Sequence, residues 1–253
     1  MIGSDWTNRI PFYDGPLPLI SASQMIVVDR AMMADYGITL MQMMENAGRH
    51  LAHLARLRFL NGDARGKKVT VMAGTGGNGG GALVAARRLH NWGALVSVLL
   101  TRTRDEFVDM PRHQLESLQA MRVPIYMPAA CDEIPPADVV LDGIIGYSLR
   151  GAPQGATAEL IGWAAGQSAP ILSLDTPSGL DVTSGIVHEP AIHATATLTL
   201  ALPKTGLMRE TVKQFVGELY LGDISVPPQL YGLPDVEVQV GPIFAQSDIV
   251  RLR

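Results

Sequence analysis

The chain has 253 residues, 47% hydrophobic and 17% charged. That is enough to bury roughly 70–75% of its unfolded surface, and too apolar for a disordered tether. With 20 Lys and Arg against 24 Asp and Glu the net charge is −4, which gives no basic footprint for a nucleic-acid partner. The single cysteine, Cys131, excludes an internal disulfide. No basic leader and no apolar run of about 18–20 residues occurs, so a cytoplasmic protein without a membrane segment is predicted. No linker-like stretch divides the chain, and one domain over 1–253 is expected, with an irregular arm over 1–18 and a C-terminal tail over 232–253.

After the arm, Ser21 to Tyr36 has helical spacing, with Ser21 or Ser23 as N-cap. Leu40, Met43, Met44, Ala47, Leu51, Leu54 and Ala55 recur at intervals of three and four and predict a longer helix, its methionines serving as core filler. From Lys67 the pattern changes to short β-branched runs between helical stretches. Strands are predicted at Lys68–Ala73, Leu95–Leu100, Pro124–Met127, Asp138–Gly143, Pro170–Asp175, Thr195–Ala201 and near Glu218–Leu221. Helices are predicted at Ala82–Asn91, about Glu106–Met121 and about Ala156–Gln167. This alternation implies an α/β fold with a mostly parallel, doubly wound sheet, which receives ligands at the carboxyl ends of its strands.

Three segments carry chemistry. Val69 to Ala73 runs into Gly74-Thr75-Gly76-Gly77-Asn78-Gly79-Gly80-Gly81 and then into a helix. Glycines let backbone amides crowd an anion, and a helix N-terminus adds partial positive charge, so a phosphate cradle is expected there. Gly74, Gly76 and Gly79 satisfy GxGxxG, and the missing Lys-Ser/Thr excludes a Walker loop. The next strand ends in Thr101-Arg102-Thr103-Arg104 rather than in an acidic residue. Arginines there suit a 2′-phosphate, which keeps an NADP-dependent oxidoreductase among the readings.

The second and third segments place Asp142 and Asp175 at strand ends, Asp142 before Gly146-Tyr147-Ser148-Leu149-Arg150-Gly151 and Asp175 before Ser178. In one parallel sheet these ends converge on one crevice near the first glycine loop. Asn78, an Asp and a Ser hydroxyl make an oxygen-rich site suited to a hard cation and too poor in imidazole for zinc. His50 and His53 lack an HExxH pattern and read as core or partly exposed residues. Cys131, next to Asp132 and Glu133, has the wrong surroundings for an activated thiol.

These segments, with Ile20-Ser21-Ala22-Ser23-Gln24-Met25, Asp29-Arg30, Met44-Glu45-Asn46-Ala47-Gly48-Arg49, Gly217-Glu218-Leu219-Tyr220 and Asp223-Ile224, resemble the NAD(P)H-hydrate epimerase, or YjeF N-terminal-domain, family. The likeness runs from Leu19 to about Pro228. It implies a three-layer α/β/α Rossmann-like fold, often a homodimer, that interconverts the R and S epimers of hydrated NADH or NADPH for repair by a partner dehydratase, expected here as a separate protein. It also implies potassium ligands at Asn78, Asp142 and Ser178, and a hydrate cradle from Gly77, Asn78, Gly79, Gly80 and Gly81 with Gly146, Tyr147, Ser148, Leu149, Arg150 and Gly151. Asp175 is the implied general acid/base. The family loop usually reads Gly-Asn-Asn-Gly-Gly-Asp-Gly; here Gly77 stands for the first Asn, Gly81 for the Asp and Ala82 for the last Gly, and Arg150 stands where many members carry Lys. These departures support a second expectation, a catalytically silent member that binds a nucleotide-like ligand or acts as an interaction module.

Overall fold

The computed structural model describes residues 10–253; the first nine residues of the expected arm lie outside the described part. Eight strands form one sheet in the order β3-β2-β1-β4-β5-β6-β7-β8. They are β1 (Lys68–Ala73), β2 (Leu95–Leu100), β3 (Ile125–Tyr126), β4 (Val139–Gly143), β5 (Ile171–Leu174), β6 (Ala196–Leu200), β7 (Glu218–Gly222) and β8 (Ile249–Arg251). All pairings are parallel except β7 with β8. The strand order reverses between β1 and β4, where a doubly wound sheet opens a crevice at its carboxyl edge.

Side chains alternate across the sheet as a strand period of two requires. Val69, Val71, Val98, Leu100, Leu141, Leu172 and Leu174 join a large core with α1 (Ala22–Ala34), α2 (Leu40–Arg58), α3 (Gly77–Asn91) and α4 (Asp109–Ala120). Met72, Leu99, Val140 and Ile171 face the other way and pack with Leu160, Ile161 and Ala164 of α5 (Ala156–Ala165). Helices on both faces make the fold a three-layer α/β/α sandwich of Rossmann-like type.

Ser21 and Thr39 open α1 and α2 with capping boxes closed by Gln24 and Gln42, each satisfying helix N–H groups that otherwise lack partners. The two helices thereby start at defined points above the strand ends. Glu45 of α2 accepts from Arg87 and Arg88 of α3. At the crossing, a Cβ on Gly48 would collide with the Gly81 carbonyl and Val84, so the helices approach to backbone contact.

Two expectations change. The third helix starts at Gly77, not Ala82, so five residues read as loop are its first turn and a half. The tail supplies β8, whose Arg251 also bridges in parallel to Phe12 of the arm. Both segments close the β7 edge of the sheet, which would otherwise offer unpaired backbone groups.

Candidate functional site

A cavity of about 780 Å³ opens at the carboxyl ends of the central strands. Its wall includes Gly74 to Asn78 after β1, Thr101 and Arg102 after β2, Ile144 to Ser148 after β4, and Leu174 and Asp175 after β5. Met25, Asp29, Met43 and Met44 of α1 and α2 cover one side, and Lys204 closes the β6 end. One flank is therefore apolar and the other carries backbone amides and ionisable groups, the usual make-up of a small-molecule site.

The glycines divide into two kinds. Gly76 and Gly77 are exposed at the rim, and a Cβ on Gly77 would meet only Leu40 Cδ1, at 3.9 Å. The α3 N-terminus starts here, with its unpaired N–H groups and positive dipole end beside the cavity. Gly79, Gly80 and Gly81 are buried. A Cβ on Gly79 would strike the Gly74 backbone, and one on Gly80 would lie 2.6 Å from Met44 Sδ. At Gly81 a Cβ would sit 3.0 Å from Leu174 Cδ2, so the space beside this loop position is filled by apolar packing. These three glycines admit close packing of helix on strand and do not line the cavity. Leu149, Arg150 and Gly151 also lie outside its wall, Arg150 and Gly151 exposed to solvent.

Asp175 follows β5 with φ +63°, the left-handed region that Asp tolerates better than most residues. Its N–H donates to the Leu198 carbonyl at 2.7 Å, which holds that conformation. The residue is 3% exposed; Oδ2 accepts from the Tyr147 N–H at 3.0 Å and Oδ1 pairs with Lys204 Nζ. Lys204, 1% exposed, also donates to the Leu200 carbonyl at 2.9 Å and to Thr199 Oγ1 at 3.4 Å. A buried ammonium requires this full set of acceptors. Sequence reasoning passed over Lys204, although it is the lone charge between Thr195 and Leu207 and stands just after a strand. It passed over Asp29 as a site residue too; the Tyr147 hydroxyl donates to its carboxylate.

Asp142 is fully buried on the α5 side of the sheet. Ser178 Oγ at 2.6 Å and the Ile144 N–H at 3.2 Å donate to Oδ1; Ser173 Oγ at 2.8 Å and the Ser178 N–H at 2.9 Å donate to Oδ2. Ser178 Oγ in turn accepts from the Ile145 N–H at 3.0 Å. Burial pushes the Asp142 carboxyl above its usual range, against the pull of these hydrogen bonds. Asn78, at the start of α3, has both side-chain polar atoms buried with no hydrogen-bond partner among the described residues. A Cβ on Gly146 would lie 3.3 Å from Asn78 Cγ and 3.1 Å from Asp175 Oδ2, so Gly146 lets the amide and the carboxylate converge.

Fold and site together define a Rossmann-like α/β protein with a lined cavity at the carboxyl edge of its sheet. A family model described as YjeF-related protein N-terminus matches residues 40–206. The chain belongs to this family. It is 44% identical over 212 residues, 84% of each chain, to an NAD(P)H-hydrate epimerase of Dehalogenimonas lykanthroporepellens. It is 35% identical to one of Truepera radiovictrix, over 82% of this chain and 90% of that one. A bifunctional NAD(P)H-hydrate repair enzyme Nnr of Moorella thermoacetica is 33% identical over 84% of this chain, which spans 41% of that longer protein. The crystal structure of yeast ynu0, YNL200c, superposes with a TM-score of 0.74 at 26% identity, covering 93% of this chain and all of that one.

Proposed function

We propose that this protein is an NAD(P)H-hydrate epimerase, interconverting the R and S epimers of hydrated NADH and NADPH. The observation that carries the reading is the buried Asp175 carboxylate, aimed into a cavity beside a helix N-terminus. Epimerisation at C6 needs the hydroxyl to leave, a cationic ring to persist, and water to add to the other face. A carboxylate held in a low-dielectric wall stabilises that cation and moves a proton. The α3 N-terminus and the Gly146 to Ser148 turn suit the pyrophosphate and ribose groups of the substrate. The packing role of Gly81 and the place of Arg150 outside the cavity wall support an active enzyme over a silent one at those two positions; Gly77 is the departure that lines the cavity.

The proposal includes a potassium ion. Among the described residues Asn78 offers a buried oxygen with no partner and Asp142 a buried carboxylate with no basic side chain bonded to it, a donor set that fits a hard monovalent cation. Asn78, Asp142 and Ser178 would hold it, and it would supply positive charge behind the Gly146 turn. A cytoplasmic homodimer whose S product passes to an S-specific dehydratase completes the proposal. No helix among the described residues is long and apolar enough to cross a membrane.

The test is to supply the R epimer of NADPH hydrate together with an S-specific dehydratase. Addition of this protein should accelerate consumption of the R form well above the spontaneous rate. No acceleration in potassium-containing buffer sinks the reading.

A further inference from the structure

Asp29 is a half-buried carboxylate in the wall of the same cavity, delivered by α1 rather than by a strand end. One residue joins it to Asp175: the Tyr147 hydroxyl donates to Asp29, and the Tyr147 N–H donates to Asp175 Oδ2. The two carboxylates thus stand at opposite ends of one tyrosine, a full side chain apart, and both reach the cavity. Their surroundings differ. Asp175 is ion-paired to Lys204, whereas Asp29 forms no ion pair among the described residues and meets only the neutral phenol. The groups that face Asp29 are Tyr147 from the β4 turn, Asp175 after β5, Lys204 after β6, and Tyr231 from the 3-10 turn Pro228–Gly232 that packs on α1. Burial, with the Asp175 charge adding to it, holds the Asp29 carboxyl above the usual carboxylate range; the Tyr147 hydrogen bond and Lys204 pull the other way.

An epimerisation by loss and return of water needs proton transfer on both faces of the ring. The leaving hydroxyl takes a proton on one face, and the incoming water gives one up on the other. A single carboxylate fixed by two hydrogen-bond partners serves one face. We propose that Asp29, oriented by Tyr147, is the second proton-transfer group of the reaction, acting on the face opposite Asp175; this rests on the epimerase reading.

In one direction protonated Asp29 gives its proton to the C6 hydroxyl as the C6–O bond breaks with its electron pair going to oxygen. Water departs, Asp29 is left as a carboxylate, and the ring nitrogen lone pair completes an iminium cation. Water then bonds to C6 from the other face with its own lone pair, and its released proton goes to Asp175. The reverse direction retraces these transfers with the roles exchanged, and solvent at the cavity mouth returns the proton from Asp175 to Asp29 between turnovers. Two carboxylates in different surroundings, Asp29 on the neutral Tyr147 phenol and Asp175 on the Lys204 ammonium, provide the donor and the acceptor.

The test measures kcat and KM for the R to S and S to R conversions across a pH series that runs upward from the ordinary carboxylate range. The enzymes are the wild type, Asp29→Asn and Tyr147→Phe. Asp29→Asn should lower kcat by about 10²-fold or more, in the range of a lost general acid or base, with KM nearly unchanged. It should also remove the limb on which activity falls as pH rises through the Asp29 titration. Tyr147→Phe should lower kcat less than Asp29→Asn does and move that limb upward, because the carboxylate loses its hydrogen-bond donor. Asp29→Asn with wild-type kcat, or with lowered kcat and an unmoved limb, overturns the proposal, as does a Tyr147→Phe profile that coincides with the wild type. An inactive wild type instead marks failure of the epimerase reading itself.

Discussion

Lys204 and Asp175 form an ion pair in the interior, their side chains 1% and 5% exposed, that ties the β6 end to the β5 end across the cavity. Replacing one partner leaves a buried charge without its counter-ion, which typically costs about 3–5 kcal/mol. Lys204→Met should therefore lower the urea midpoint strongly. Lys204→Met combined with Asp175→Asn should recover most of that loss, because the neutral pair carries no uncompensated charge. The activity outcome runs the other way: the double variant should be as inactive as Asp175→Asn alone. Urea unfolding and the R-epimer assay on the four proteins of this cycle measure both effects. Equal stability of Lys204→Met and wild type would remove the ion pair from the argument.

Asn78 tests the cation. Neither polar atom of its amide has a partner among the described residues, so Asn78→Ala should leave the stability in potassium-free buffer within about 1 kcal/mol of wild type. The wild type should melt at higher temperature in KCl than in choline chloride of equal ionic strength. Tenfold saturation over Kd corresponds to about 1.4 kcal/mol of stabilisation. Asn78→Ala should lose that difference. An identical KCl response in the two proteins assigns the stabilisation to another site.

The sheet was legible because its strands are short, nearly continuous apolar and β-branched runs of the kind a parallel strand buried on both faces requires. Lys68–Ala73 and Leu95–Leu100 have the predicted limits. Short strands carried too little pattern: Ile125–Tyr126 is trimmed to two residues and Ile249–Arg251 was missed, because three residues near a chain end show no period. Glycine misled at the α3 start. Its low helix propensity placed the boundary at Ala82, whereas packing against Gly74 and Met44 selects helix from Gly77. In the site, strand-end carboxylates followed from topology alone. Lys204 and Asp29 did not, since the meaning of each depends on which residue lies across the cavity.

The two kinds of glycine give a separable pair of variants. Gly77→Ala adds a methyl group whose nearest neighbour is Leu40 Cδ1 at 3.9 Å, at an exposed helix start. Its thermal stability should match wild type within about 0.5 kcal/mol. Gly81→Ala pushes a methyl against Leu174 Cδ2 at 3.0 Å and Ala47 Cβ at 3.6 Å in a filled interface between α2, α3 and β5. Overpacking of this kind costs about 1–3 kcal/mol, partly offset by the better helix propensity of alanine. Differential scanning calorimetry of both variants settles the order. Gly77→Ala melting below Gly81→Ala would contradict the division into rim and packing glycines.

His50 should make the fold sensitive to acid. Its ring is 2% exposed on α2, and the Asp223 carbonyl, which only accepts, lies 2.8 Å from Nε2, so Nε2 carries the proton of a neutral ring. Burial, aided by the Arg49 charge, lowers its pKa from 6.5 to about 4. The folded state thus binds this proton less readily than the unfolded chain. The stabilisation is complete above the unfolded value near 6.5 and is lost as pH falls toward about 4. The difference amounts to about 3 kcal/mol at most. Other groups titrate in the same interval, so the measurement is a comparison: His50→Gln keeps an amide N–H for the Asp223 carbonyl and has no titration. Between pH 7.5 and 4.5 the wild type should lose about 2–3 kcal/mol more unfolding free energy than His50→Gln in urea titrations. Parallel pH dependence of the two proteins would show that the buried ring is not what destabilises the fold in acid.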